Sequence, residues 1–122
     1  MGLDVDFLDG ESREEILYLR KPEVFFIALG TKQGEIVEEP YSDFWVYEED
    51  LAETASELAG RGAKYQKASS ELPSLREIET ALNDLSPSEA DARSELDDAL
   101  LIALVLQAYV EKNGKIICAW SA

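Results

Sequence analysis

The segment DDALLIALVLQAYVEKNGKIICAW, Asp97 to Trp120, decides how this chain folds. Within it, Ala99 to Leu106 is apolar at all eight positions, far short of the about 20 residues that a membrane span requires. A helix apolar on all sides, yet too short to cross a bilayer, belongs at the centre of a core. Its start is marked by Ser86, Pro87 and Glu89, a capping box with proline at the first helical position. Asn113-Gly114 supplies the stop, and KIICAW, Lys115 to Trp120, reads as a strand. The sequence therefore predicts a long helix over about Pro87 to Lys112, followed by a closing strand.

The other elements are read outward from this helix. Val5 and Phe7 alternate with Asp4 and Asp6, which suits a half-buried strand of about Leu3 to Leu8, and Asp9-Gly10 then has turn chemistry. EILYLRK, Glu15 to Lys21, alternates in the same way and can pair back as a second strand. Pro22-Glu23 resembles a first helical turn, with Gly30 closing the helix after VFFIAL; the β-branched and aromatic content of that run equally permits a strand, and the helix is preferred. Phe44 to Tyr47 is a short strand or the entry to the next helix. From Glu48 onward, Leu51, Ala52, Ala55, Leu58 and Ala59 fall on one helical face, and Gly60 to Gly62 ends the pattern. Ser74 with Glu77 is a further capping box, continued by Leu75, Ile78 and Leu82. The fold class expected is α+β, a single domain over residues 1–122. It comprises a small antiparallel sheet from strands near both ends, with three to four helices, the last long and central to the core.

Hydrophobic residues are 46% of the 122, enough for one core, so the acidity must lie on the surface of something folded. Eleven Lys and Arg against 26 Asp and Glu leave a formal charge of −15, well beyond the roughly 2 to 8 typical of a small soluble domain. The cations are scattered, so no basic patch for direct nucleic-acid or anionic-membrane binding is expected. Cys118 is the single cysteine and no signal peptide is evident, which points to a cytoplasmic protein.

The absence of histidine removes the Ser-His-Asp and Cys-His relays and the usual zinc sites. Phosphate-binding glycine loops are absent too. Cys118, between Ile117 and Ala119, reads as a small buried hydrophobe rather than a nucleophile. Asp4, Asp6, Asp9 and Gly10 form D-x-D-x-x-D-G, superficially a calcium loop. Its spacing is wrong for an EF-hand, and Val5 and Phe7 prefer a strand. No metal and no cofactor are expected, and no enzymatic activity; a carboxylate pair or magnesium-dependent hydrolase remains the alternative from the enzyme class.

The richest candidate is EIVEEPYSDFWVYEEDLAE, Glu35 to Glu53, with eight carboxylates, four aromatics and no basic residue. The first turn of a helix accounts for Glu48, Glu49 and Asp50, because carboxylates favour the positive end of the dipole. It leaves Glu35, Glu38, Glu39 and Asp43 unexplained. Aromatic anchors ringed by charge of one sign make a protein-binding surface, so Tyr41, Asp43, Phe44, Trp45, Glu48 and Glu49 are the candidate partner-binding residues.

MGLD, Met1 to Asp4, and EILYLRK, Glu15 to Lys21, resemble the opening of a group of small uncharacterised bacterial and phage proteins that begin MGLD and carry an aromatic-x-Arg-Lys element. That group usually has an aromatic where this chain has Asp6, and the resemblance implies no role for Tyr18, Arg20 or Lys21. In character, a small, acidic, histidine-free chain is similar to bacterial toxin-immunity proteins. The expectation is a non-enzymatic acidic binding protein, an immunity protein or inhibitor neutralising a basic toxin or nuclease domain. The other readings are a DNA mimic of a mobile element and a structural adaptor.

Overall fold

A computed structural model describes residues 4–20, 22–30, 35–37, 43–63, 73–83 and 95–121. In chain order these form β1 (Asp4–Asp9), β2 (Glu15–Arg20), α1 (Glu23–Gly30), β3 (Phe44–Val46), α2 (Glu48–Gly60), α3 (Leu75–Asn83), α4 (Glu95–Asn113) and β4 (Ile116–Ser121). The α+β class expected from the sequence is the one observed, with strands from both ends of the chain joined in one antiparallel sheet of order β2-β1-β4-β3.

Strand alternation sorts the side chains onto two faces. Val5 and Phe7 of β1, Leu17 and Leu19 of β2, Phe44 and Val46 of β3, and Ile116 and Cys118 of β4 are all buried in one core. The helices complete that core from the same side: Phe25, Ala28 and Leu29 from α1, Leu51, Ala55 and Leu58 from α2, and most of the apolar run of α4. Ala103 and Leu106 are fully buried, which places α4 at the centre, although Leu101 and Leu104 are only partly covered. Phe7 and Phe25 meet edge to face at 5.8 Å, a favoured aromatic geometry.

Local signals explain the boundaries. The β1–β2 turn is tied by Asp9, whose Oδ1 accepts the N–H groups of Glu11 and Ser12, both at 2.9 Å. Arg13 closes the hairpin in the left-handed region, φ 65°. The VFFIAL run is helical, because α1 turns Phe25, Ala28 and Leu29 inward and leaves Ile27 outside. Ser74 Oγ accepts the N–H of Glu77 at 3.1 Å, the cap expected for α3. Asp50 accepts the N–H of Tyr47 at 3.0 Å and so fastens the start of α2. Gly114, φ 92°, follows α4, and its N–H returns to the carbonyl of Val110 at 2.8 Å. The expected helix start at Ser86 and Pro87 lies outside the described residues. Among those described, no helix is long and apolar enough to cross a membrane.

Candidate partner-binding surface

The six candidate residues divide between the two faces of β3 and the helix after it. Phe44 is 1% exposed and packs in the core, where Phe26 lies 6.5 Å away, so it is not available to a partner. The correction follows from the two-residue period of a strand: Phe44 and Val46 face the helices, and Trp45 between them must face away. Asp43 is half-buried and pairs through its backbone with Val37, its carbonyl accepting that N–H at 2.9 Å. Tyr41 lies outside the described residues. Glu48 and Glu49 are exposed in the first turn of α2.

Trp45 is already engaged within the chain. Lys115 holds its ammonium group 4.1 Å from the centre of the Trp45 ring and 5.8 Å from that of Tyr47, and the Arg13 guanidinium lies 5.7 Å from Trp45. Such contacts are attractive because a cation meets the negative face of the π-system. Gly10 completes the fit. A Cβ on Gly10 would collide with the carbonyl of Lys115 and come within 3.1 Å of the Trp45 ring. The tryptophan is therefore a half-buried plate on the face of the sheet turned away from the described core helices, in the row that holds Ile117 and Leu8.

Beside it, α2 begins where α4 ends. Glu48 is hydrogen-bonded side chain to side chain with Glu111, and this contact, with some desolvation and mutual repulsion, raises the Glu48 carboxyl above its ordinary range. Two carboxylates this close repel each other when both are charged. Glu111 also stands in the last turn of α4, at the negative end of the helix dipole. The structure thus sets Glu48 against Glu111 and, separately, Trp45 against two cations, so the candidates acquire three neighbours: Glu111, Lys115 and Arg13. Sequence reasoning missed these last three, which arrive from other elements; the cation directly after the helix stop at Gly114, in a chain so poor in cations, is the one local signal for Lys115.

A second acidic group lies on the same face of the sheet. Asp6 sits opposite Tyr18 on β2 and Ala119 on β4. Burial, a hydrogen bond to the Glu15 carboxyl, and the charges of Glu15, Asp4 and Glu79 push its pKa up to about 7. Its Oδ1 is shut off from solvent with no hydrogen-bond partner among the described residues. Asp4 accepts the Tyr18 hydroxyl at 3.0 Å. Asp9 points to the other side of β1, where its Oδ2 accepts the Tyr109 hydroxyl at 2.6 Å. Asp4 and Asp6 therefore cannot converge with Asp9 on one ion, and the D-x-D-x-x-D-G stretch is a strand and its turn. Among the described residues no group of three or more acids and cysteine could hold a metal. Cys118 is fully buried, and burial with the nearby charges of Asp43 and Asp6 pushes its thiol far up, away from nucleophilic chemistry.

Comparison of the chain with protein-family models, with curated proteins and with solved structures finds no match.

Proposed function

We propose that this chain is a non-enzymatic acidic binding protein of the inhibitor or immunity type, which caps a basic protein domain through the surface where α2 begins and α4 ends. The observation that carries this reading is the Glu48–Glu111 pair. Two exposed acids pressed together, one of them at the unfavourable end of a helix dipole, store repulsion that a cation from a partner relieves. Glu49 and Glu53 extend the same charge along the exposed side of α2 at an i, i+4 spacing, an arrangement of like charges that disfavours the isolated helix. Trp45 and Tyr47 provide the flat aromatic area beside it. A toxin or nuclease domain with a basic substrate-binding surface is the partner class that matches, because long-range attraction speeds encounter while a few buried contacts set affinity.

The test is a pull-down from lysate of the source organism at low and high salt, with wild type beside Glu48→Lys/Glu49→Lys. A basic toxin or nuclease domain retained at low salt, released as salt screens the charge, and lost with the double reversal is the expected result. Equal retention by wild type and the reversed variant rules out this surface.

A further inference from the structure

Arg13 and Lys115 reach one ring from two elements. Arg13 stands in the turn between β1 and β2, Lys115 directly precedes β4, and the pairing of Asp9 with Ile116 brings turn and strand start together. The guanidinium lies 5.7 Å and the ammonium 4.1 Å from the centre of Trp45, and both side chains are exposed. The inner side of this place is closely fitted, because Gly10 approaches the Lys115 carbonyl too nearly for a Cβ to stand between them. Two like charges held against one ring repel each other.

The fold does not account for this pair. With 26 Asp and Glu against 11 Lys and Arg, a carboxylate neighbour is the default for any cation on the chain. Glu11 and Glu14 flank Arg13 in the exposed turn, yet among the described residues no ion pair joins them or any other acid to Arg13 or Lys115. Arg13 also adopts φ 65°, a backbone conformation that is free to glycine and strained for a residue with a Cβ. That strain costs more than an exposed cation–π contact returns, so the contact with Trp45 does not by itself explain arginine at this position. Backbone strain and unneutralised charge coincide in one residue, a combination that marks binding sites.

We propose that Arg13 and Lys115 form a site for a single carboxylate group, which the two cations share beside Trp45. A carboxylate accepts two parallel N–H groups from a guanidinium and keeps lone pairs for an ammonium. The Lys115 ammonium already covers the ring, so the ligand needs no flat apolar part. A second negative charge on it is disfavoured, because the field of a chain with formal charge −15 repels each added charge. Salt screens the distant acids beyond about 8 Å, which leaves the two cations to act at contact range. The ligand class is therefore a small monocarboxylate rather than a phosphate, and the site stands independently of the acids at Glu48 and Glu111.

Titration of the full chain with acetate tests this, at constant ionic strength with chloride as the anion replaced and NMR of the Arg13 and Lys115 side chains as the readout. Saturable shifts at both residues are expected, with weaker binding of inorganic phosphate. Arg13→Gly and Lys115→Gln should each weaken acetate binding at least tenfold, while Arg76→Gln, which removes an equal charge from an exposed position on α3, leaves it unchanged. Arg13→Gly should also melt no lower than wild type, since glycine adopts the left-handed turn without strain. Shifts that do not saturate, tighter binding of phosphate, an equal loss in Arg76→Gln, unchanged affinity in Arg13→Gly, or a destabilised Arg13→Gly would each overturn the proposal.

Discussion

The hydroxyl of Tyr109 on α4 donates to Oδ2 of Asp9 at the end of β1, 2.6 Å away, and joins the central helix to a hairpin 100 residues earlier in the chain. The same carboxylate accepts two backbone N–H groups of the turn. The Tyr109 hydroxyl and those backbone bonds together hold Asp9 down at about 2, while burial first, and then the same carboxylate, push the Tyr109 phenol up to about 12.

Removing the hydroxyl with Tyr109→Phe should therefore move the Asp9 titration upward, toward the ordinary aspartate value near about 3.9. The sign follows from linkage. A carboxylate with a lowered pKa in the folded state adds stability that is present above about pH 4 and lost as pH falls toward 2. The variant should lose less stability between pH 4 and 2 than wild type does, and be the less stable protein at pH 7. NMR titration of the Asp9 carboxyl and acid unfolding followed by circular dichroism measure both effects.

Asp6 runs the opposite way. Its folded pKa of about 7 exceeds the unfolded value of about 3.9, so the folded state keeps a proton that the unfolded chain has released. Its contribution is fully present below about pH 4 and is lost as pH rises through 7. Asp6→Asn should consequently stabilise the protein above pH 7, by on the order of 1–2 kcal/mol once solvent screening of a partly exposed group is allowed for. The gain should shrink toward zero at pH 4. Urea unfolding at pH 8 and pH 4.5 gives the comparison, and equal differences at the two values would contradict the assignment.

Gly10 is needed for closeness rather than for an unusual φ. Any side chain there meets the carbonyl of Lys115, a backbone group that cannot swing aside, and the edge of Trp45. Gly10→Ala should destabilise by about 1–3 kcal/mol, the usual range for overpacking, and should disturb Trp45 fluorescence. A stability within experimental error of wild type would mean that the hairpin and β4 can separate at little cost.

Much of the fold is legible in the chain itself. Periodicity placed β1, β2, α2 and β4 within a residue or two, because each has an inward face and turn or cap chemistry at its ends. The choice of helix for Glu23–Gly30 needed the core to decide it, since its run of six apolar residues, with β-branched Val24 and Ile27 and two phenylalanines, suits either element. The candidate surface was half legible. Composition pointed to the acidic segment, but the exclusion of Phe44 depends on which face of a three-residue strand meets the helices. Glu111, Lys115 and Arg13 reach the site only through the α2–α4 contact and the strand pairings, which no local pattern encodes.

Lys115 separates the structural duty of Trp45 from its proposed duty in binding. The ammonium lies over the ring, exposed to water, where a cation–π contact contributes about 0.5–1 kcal/mol. Lys115→Gln should lower stability by no more than that and remove one positive charge from the face of Trp45. If a cationic partner uses this surface, Lys115 competes with the partner's own lysines and arginines for Trp45. The variant should then bind such a partner more tightly, and the gain should shrink as salt rises. Trp45→Ala should weaken binding in the same assay, with Trp45→Phe intermediate. Weaker binding by Lys115→Gln, or no response to either Trp45 substitution, would show that the tryptophan serves the fold alone and that the partner, if one is captured, sits elsewhere.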